Sequence, residues 1–187
     1  MLKIKKIKTS LVGMKIDATD AERGNIVHEH LASEHWPVNF RAGVDIPIYK
    51  IEIKSRRANA VSAHTFGRMT LRNIHELDYE DSIVSEKSQY QIRVNLDADN
   101  VVTSVEFYDF TDPYIQNLFK EGFERVKINA PRLDTAIEHL PKYIKGTKYC
   151  YAELQNNLYQ MRISDGAMKK IKTMSKSMYN HLFDEVE

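Results

Sequence analysis

Two carboxylates and a lysine, Asp45, Glu52 and Lys54, lie within ten residues of a stretch that is otherwise rich in isoleucine. Charged groups in such an apolar run are costly to bury unless they are paired or bind a cation. Glu52 and Lys54 are two positions apart, so on a β-strand their side chains share a face. This acid-x-Lys spacing, with an aspartate upstream, suits a magnesium-dependent phosphodiesterase.

The expected chemistry follows from the ligands that magnesium prefers, which are one or two carboxylates together with phosphate and water. Asp45 and Glu52 can supply the carboxylates, and Ile53 can add its backbone carbonyl. A bound ion polarises the scissile phosphate and lowers the pKa of its water. Lys54 would orient or help to deprotonate the attacking water and offset negative charge in the transition state. An edge strand with a surface ion pair explains the same pattern without catalysis.

The backbone between the two carboxylates has to bend if they are to act together. Asp45 and Glu52 are an odd number of positions apart, so on one regular strand they point to opposite faces. A bulge or a hairpin turn between Pro47 and Lys50 is therefore required. Tyr49 and Lys50 are unusual turn residues because neither is glycine or asparagine, which leaves an irregular turn or a bulged strand.

The elements around this stretch predict a mixed α/β chain. Helices are expected at residues 17–36, 77–87, 113–127, 132–144 and 165–183, and strands at 43–48, 51–56, 62–71, 89–96, 101–110, 149–154 and 158–163. Asp112 and Pro113 form a strong helix start, since a capping residue precedes a proline at the first helical position. Residues 1–16 are expected to form an N-terminal arm or short strand, and residues 1–187 a single domain.

Bulk composition excludes several classes of protein. The chain has 187 residues, 42% of them hydrophobic and 28% charged, and a net charge of +1, which is ordinary for a globular protein. Cys150 is the only cysteine, so the chain has no disulfide framework and no multi-cysteine metal site. No apolar run is long enough to span a membrane, and the first ten residues do not resemble a signal peptide. We therefore expect a cytoplasmic protein with no membrane partner.

Histidines near the end of the first predicted helix raise the question of a zinc site. His28, His30 and His35 lie close to Glu29 and Glu34 in the sequence. His28 and His30 are two positions apart, however, and such residues do not face each other on a helix. Roles on the helix surface or in packing are therefore favoured over zinc binding.

Two further motifs accompany the acid-x-Lys stretch. A glycine precedes a helix glutamate at residues 24–29, and residues 79–87 follow the pattern aromatic-acid-x-Ser-x-Val-x-x-Lys. With these motifs, and with only six residues between Asp45 and Glu52, the chain resembles the PD-(D/E)XK nucleases of the MutH type. That group comprises the methyl-directed mismatch-repair nicking endonucleases and their GATC-cutting restriction-enzyme relatives. Val44 stands where many members of the superfamily have proline.

The resemblance implies an α/β fold, with a restriction-endonuclease-like mixed sheet flanked by helices and a metal site on its central strands. It implies one or two Mg²⁺ ions held by Asp45 and Glu52. Lys54 and Lys87 would assist the nucleophile and the phosphate, and Glu29 would support the site. The reaction would be hydrolysis of DNA phosphodiester bonds that leaves a 5′-phosphate.

Arginines that follow the site and a late hairpin turn are the expected DNA contacts. The arginines are Arg56, Arg57, Arg68 and Arg72, which as phosphate clamps would position a duplex without reading its sequence. The MutH-type family carries an Arg-His-Gly-type turn in its late hairpin, whereas this chain has Gln155, Asn156 and Asn157. Glutamine and asparagine can pair with adenine in the major groove, so this turn is a candidate for base reading.

The function favoured by these features is a Mg²⁺-dependent, sequence-specific endonuclease of restriction type that acts on double-stranded DNA. A double-strand cutter of this size needs two active sites, so a homodimer or paired copies are expected. Three alternatives stay open. They are a strand-nicking repair endonuclease activated by a protein partner, a non-catalytic DNA-binding module on a nuclease fold, and an RNA-directed nuclease.

Overall fold

The computed structural model describes residues 10–34, 43–47, 50–58, 64–164 and 166–168. These residues fold into two compact units. The first contains the described residues up to 58 and the stretch 89–109, and the second contains residues 64–88 and the described residues from 110 onward. The chain thus enters each unit more than once, and the expected single domain stays a prediction. Within the described ranges, no helix has the length and apolar character needed to cross a membrane.

Helices and strands are interspersed along the chain, which confirms the predicted α/β class. The helices are α1 (Asp20–Glu34), α2 (Leu71–Glu76), α3 (Ile83–Lys87) and α4 (Pro113–Asn129), with a 3₁₀ helix at Ile137–His139. The strands are β1 (Ile51–Arg57), β2 (His64–Met69), β3 (Tyr90–Leu96), β4 (Val102–Asp109), β5 (Tyr143–Ile144), β6 (Cys150–Gln155) and β7 (Leu158–Ile163).

The first unit is built on a mixed sheet in the order β1-β3-β4, in which β1 is parallel to β3 and β4 is antiparallel to it. Ile53, Ile92 and Phe107 are register partners on one face of this sheet and are all buried. Val27 and Leu31 of α1 belong to the same apolar cluster. Each such side chain contributes roughly 1.5–3 kcal/mol when it is removed from water. The apolar face therefore fixes β1, and with it the residues on the opposite, polar face.

Helix α1 begins at a reciprocal capping arrangement. The Glu22 amide donates to the Thr19 hydroxyl at 3.4 Å, and the Thr19 amide donates to the Glu22 carboxylate at 3.0 Å. Such a capping box fixes the start of a helix by satisfying two of its unpaired amides. The expected N-terminal strand does not form in residues 10–16, where Lys15 makes only an isolated bridge with Val101. Residues 1–9 and 35–36 lie outside the described residues.

The second unit contains an antiparallel sheet in the order β2-β7-β6-β5. Phe66 of β2 packs against Phe110 and Phe119, with ring centroids 5.6 and 4.9 Å apart. Helix α4 begins as predicted, since the Asp112 carboxylate accepts the amide of Tyr114 at 2.9 Å and Pro113 occupies the first turn. The two predicted hairpins, which became β3-β4 and β6-β7, are also confirmed.

Four elements differ from the expectation. The helix predicted at residues 77–87 forms only at Ile83–Lys87. In place of the strand predicted at residues 43–48, residues 43–47 make one bridge, at Ile46, and residue 48 lies outside the described residues. The predicted strand at 62–71 ends earlier, because the Thr70 hydroxyl accepts the Asn73 amide at 3.1 Å and starts α2. The predicted helix at 132–144 is replaced by the short 3₁₀ helix and β5. Of the predicted final helix, residues 166–168 are helical and the rest lies outside the described residues.

Candidate active site

A tight hairpin brings the two carboxylates together. Ile46 and Ile51 exchange both of their backbone hydrogen bonds, at 2.9 and 3.2 Å, and form an antiparallel bridge. The next pair out from such a hydrogen-bonded pair is the one whose side chains approach most closely. Asp45 and Glu52 occupy that position. The hairpin therefore turns an odd sequence separation into direct opposition on one face.

The chain reverses direction between Pro47 and Lys50, as the hairpin interpretation predicted. The amide of Lys50 donates to the carbonyl of Pro47 at 3.1 Å and closes the turn. Lys50 has a φ of 53°, in the left-handed region that residues with a Cβ rarely adopt. Such a conformation costs on the order of 1 kcal/mol and persists only where the surroundings impose it. Here the paired bridge on either side imposes it.

Asp45 is held from two directions. The backbone amide of Ile53 donates to Asp45 Oδ2 at 2.6 Å, and His28 Nε2 of α1 lies 3.6 Å from the same oxygen. Burial raises the pKa of Asp45, and the neighbouring charge of Glu52 raises it further. His28, the Ile53 amide and Lys54 lower the pKa again, but the net shift is upward. Asp45 is thus fixed in position while its charge is disfavoured, as expected for a carboxylate that needs a cation.

Glu52 and Lys54 form the predicted contact on the shared face of β1. Lys54 Nζ donates a hydrogen bond to Glu52 Oε1. The Glu52 side chain is only 2% exposed, whereas that of Lys54 is 36% exposed. A buried carboxylate loses its hydration, and that cost has to be offset by a cation or by hydrogen bonds, whereas the groups of a surface ion pair stay hydrated. The interpretation as a simple surface ion pair therefore does not describe this stretch.

The donor set of the hairpin suits a hard divalent cation. Asp45 and Glu52 offer carboxylate oxygens side by side, and magnesium often uses only one or two protein carboxylates. Among the described residues, no group of three or more histidine, cysteine, aspartate or glutamate side chains is arranged to hold a metal ion. Ile53 contacts Asp45 through its amide, and a role for its carbonyl stays a prediction.

Helix α1 presents a different residue to the site from the one expected. The predicted Glu29 is exposed, and none of the described contacts joins it to the carboxylates. Its neighbour His28 makes the contact with Asp45 instead. The sequence signal for His28 was present, since it precedes Glu29 directly, but a lone histidine on a helix does not reveal which way it points.

Two further polar residues lie on the same face of the sheet and were not predicted. Gln91 is the register partner of Glu52, and Arg93 is the register partner of Lys54. Gln91 is 0% exposed and Arg93 is 2% exposed. Their signal in the sequence is their alternation with Ile92 along β3, which marks a strand with one apolar and one polar face.

Lys87 is the last residue of α3 and belongs to the second unit. The preceding segment is firmly anchored there, because the Tyr79 hydroxyl bonds to the Ser88 hydroxyl and to the Gln116 side chain, both at 3.0 Å. Burial raises the pKa of Tyr79 to about 12. The shared role predicted for Lys87 and Lys54 stays a prediction, because the two lysines lie in different units.

The four predicted phosphate-binding arginines are divided between the units. Arg56 and Arg57 end β1, where Arg56 shares the face of Glu52 because it lies four residues further along the strand. Arg68 is exposed on β2 of the second unit. Arg72 is exposed on α2 and lies 3.8 Å from the Glu76 carboxylate, an i,i+4 pair.

The late hairpin has a two-residue turn. Gln155 pairs with Leu158, so only Asn156 and Asn157 form the loop, with φ values of 52° and 62°. Two successive positive φ values define a type I′ turn, in which asparagine is favoured. All three predicted base-reading residues are exposed, and Gln155 accepts a hydrogen bond from Gln160. The turn therefore presents two amides to solvent on a well-defined backbone.

Comparison with known proteins adds no assignment, since no protein-family model matches the chain and no curated protein matches it significantly. Functional inference therefore depends on the residues of the hairpin and their surroundings. The resemblance to PD-(D/E)XK nucleases stays a prediction.

Proposed function

We propose that this protein is a Mg²⁺-dependent DNA endonuclease of restriction type, which hydrolyses phosphodiester bonds in double-stranded DNA. The observation that supports the proposal most is the hairpin that opposes Asp45 and Glu52 while Lys54 binds Glu52. The buried carboxylate of Glu52 and the half-buried one of Asp45 repel each other, and a divalent cation between them offsets that repulsion. Lys54 adds an ammonium group, which would assist the attacking water and offset negative charge on the phosphate.

The residues divide the chemistry between them. Asp45 and Glu52 would hold one or two Mg²⁺ ions, which polarise the scissile phosphate and acidify water. Lys54, whose ammonium group is partly exposed, would orient the attacking water and offset charge on the phosphate. The Ile53 amide and His28 keep the Asp45 carboxylate in place for this task.

DNA binding would use the predicted arginines and the late turn. Arg56 and Arg57 continue β1 beyond the carboxylates, and Arg68 and Arg72 are exposed on the second unit. Such cations position a duplex through its phosphates. The exposed Asn156-Asn157 turn would supply amides for base reading.

Cleavage of supercoiled plasmid in the presence of Mg²⁺ tests the proposal. Wild type is compared with Asp45→Asn and Lys54→Ala, with Lys15→Ala as the matched control. Lys15 also pairs with an acidic residue two positions away, at 3.1 Å from Asp17, but that pair is exposed. We expect linear product from wild type and Lys15→Ala, and loss of cleavage by about 100-fold or more in the two site variants.

The other outcomes separate the alternatives. Open circles without linear product would favour a nicking enzyme that needs a protein partner. Intact plasmid across varied sequences, together with equal DNA affinity of wild type and both variants, would leave a binding module in place of an enzyme. Cleavage of RNA but not of DNA would favour the RNA-directed alternative. Sequencing of the cleaved ends then gives the recognition site.

A further inference from the structure

A polar pair on β3 continues the active-site face of the first unit. The parallel register places Gln91 beside Glu52 and Arg93 beside Lys54. Adjacent strands in a sheet are about 4.8 Å apart, so these side chains are immediate neighbours of the two catalytic candidates. Both are almost completely buried, which is unusual for an amide and a guanidinium group unless each has a task.

Arg93 determines which end of the Gln91 amide is available. Arg93 Nη2 donates to Gln91 Oε1 at 2.9 Å. A guanidinium group has only donors, so it must face the oxygen of the amide and not its nitrogen. The orientation of Gln91 is therefore set by chemistry, and Nε2 is the end that remains for another acceptor.

Arg93 is in turn held by its neighbours on β4. Its guanidinium carbon lies 5.2 Å from the centre of the Tyr108 ring, within the range of a cation–π interaction. The Tyr108 hydroxyl donates to Glu106 at 2.6 Å. This chain of contacts keeps the guanidinium group in place, and with it the Gln91 amide.

The donor of Gln91 has no acceptor within the described part of the chain. Nε2 is buried, and it makes no hydrogen bond with the described residues. Buried donors are nearly always satisfied, so an unsatisfied one beside a candidate site points to a ligand. The neighbouring Asn95 amide is a useful contrast, because it donates to Ser104 at 2.9 Å and to Glu106 at 3.1 Å.

We propose that Gln91 is a further catalytic residue, whose Nε2 donates a hydrogen bond to a non-bridging oxygen of the scissile phosphate, with Arg93 as its positioning residue. The inference rests on the proposed nuclease function. A donor aimed at the attacking water would withdraw electron density from the nucleophile, whereas one aimed at a phosphate oxygen stabilises charge that develops there. Phosphate is therefore the acceptor that the amide suits.

The experiment uses variants that separate the two ends of the amide. Gln91→Glu keeps the acceptor for Arg93 and removes the donor, whereas Gln91→Met removes both at similar volume. Asn117→Leu is the control, because it removes an exposed amide of α4 that is already satisfied by Glu121, at 2.7 Å, and has, among the described residues, no contact with the Arg93 chain of contacts. Arg93→Lys tests the positioning residue. Far-ultraviolet circular dichroism confirms that each variant is folded before its rate is compared.

Single-turnover cleavage of a duplex at saturating Mg²⁺ gives the main result. We expect both Gln91 variants to be about 100-fold slower than wild type, as for the loss of one donor to a transition-state oxygen. Asn117→Leu should stay within about threefold, and Arg93→Lys should fall in between. The Mg²⁺ concentration for half-maximal rate should be unchanged in Gln91→Met. Equal rates for wild type and the Gln91 variants, or a loss confined to Mg²⁺ affinity, would overturn the inference.

Failure of the nuclease proposal is distinguishable from failure of this inference. If wild type cleaves nothing, the proposed function is withdrawn, and binding of inorganic phosphate in the presence of Mg²⁺ decides the role of Gln91. Isothermal titration should then show weaker phosphate binding by Gln91→Met than by wild type and Asn117→Leu. Equal affinities for all three would refute the proposed hydrogen bond.

Discussion

At the scale of single residues, the main feature of the candidate site is the proximity of two carboxylates that repel each other. Asp45 and Glu52 face each other across the hairpin, and burial together with this repulsion raises the pKa of Asp45. The folded protein therefore binds the Asp45 proton more tightly than the unfolded chain does. By linkage, the metal-free protein loses stability as pH rises from below the ordinary pKa of an aspartate through the raised one.

Replacement of Asp45 by asparagine should separate stability from function. The Asn side chain can still accept from the Ile53 amide, but it carries no charge to repel Glu52. We expect Asp45→Asn to stabilise the metal-free protein at neutral pH by roughly 1 kcal/mol, while it abolishes stabilisation by Mg²⁺. Urea unfolding with and without Mg²⁺ measures both effects, and the exposed Asp17→Asn variant is the control. A variant that is less stable than wild type without metal would contradict the repulsion.

At the scale of elements, the hairpin turn carries a strain that the site requires. Lys50 adopts a left-handed backbone conformation, and the bridge between Ile46 and Ile51 holds it there. The parity of Asp45 and Glu52 predicted that a turn or bulge must exist, because side chains alternate along a strand. The odd separation of Asp45 and Glu52 did not distinguish a turn from a bulge, because that difference depends on how the backbone pairs.

Substitutions at Lys50 should reveal this strain. Lys50→Gly is expected to stabilise the protein by about 0.5 kcal/mol, because glycine adopts a positive φ freely. Lys50→Val is expected to destabilise it by about 1–2 kcal/mol, because a β-branched side chain clashes in that conformation. Chemical denaturation gives both values, and cleavage rates should fall with Lys50→Val as the carboxylates lose their alignment. Equal stabilities of the two variants would show that the turn is unstrained.

The Tyr79 hydroxyl connects the segment before β3 to Gln116 of α4 by a hydrogen bond. Its pKa is raised to about 12 by burial, above its ordinary value of 10.0. Its contribution to stability is therefore complete below pH 10 and is lost as pH rises towards 12. Titration of tyrosinate absorbance should show a late component that Tyr79→Phe removes. The mutant should also lose less stability than wild type between pH 10 and 12.

More of the fold than of the candidate site could be predicted from the sequence. Alternation and caps predicted both hairpins, the start of α4 at Asp112 and the shared face of Glu52 and Lys54, because these depend on neighbours in the chain. The contact of His28 with Asp45 and the place of Gln91 beside Glu52 were not predicted, because both depend on which segments lie together in space. The strand predicted at 62–71 ended early for a local reason, a capping hydroxyl within an otherwise strand-like pattern.

At the scale of the whole molecule, the proposed functions are divided between two units. The carboxylates and Lys54 belong to the first, whereas Lys87 and the Asn156-Asn157 turn belong to the second. Chemistry and base reading would then be separable by mutation. A double-strand cutter would also need a second copy of the site, so the expected homodimer is testable by sedimentation of the protein on uncleaved duplex with Ca²⁺.

Glycine substitutions in the late turn should change recognition without loss of the fold. Asn156→Gly and Asn157→Gly retain the positive φ values that the turn requires, but they remove the amides. We expect the double variant to cleave with relaxed sequence preference, a loss of about 1–3 kcal/mol of discrimination at the contacted base pair. Sequencing of cleaved ends measures this, with Asn100→Gly in the β3-β4 turn, another asparagine at positive φ, as the control. An unchanged cleavage pattern would remove the turn from base reading.

The hairpin also bears on the order in which the protein assembles during folding. Ile46 and Ile51 are five positions apart, so their bridge closes a very short loop, whereas the parallel register joins Ile51 to Tyr90, nearly forty residues later. Short loops close quickly, and parallel pairing over long separations is slow. The hairpin that bears Asp45 and Glu52 can thus form before Gln91 arrives. On the proposed function, the two carboxylates would be assembled before the chain is able to cut DNA, and activity would begin only when folding is complete.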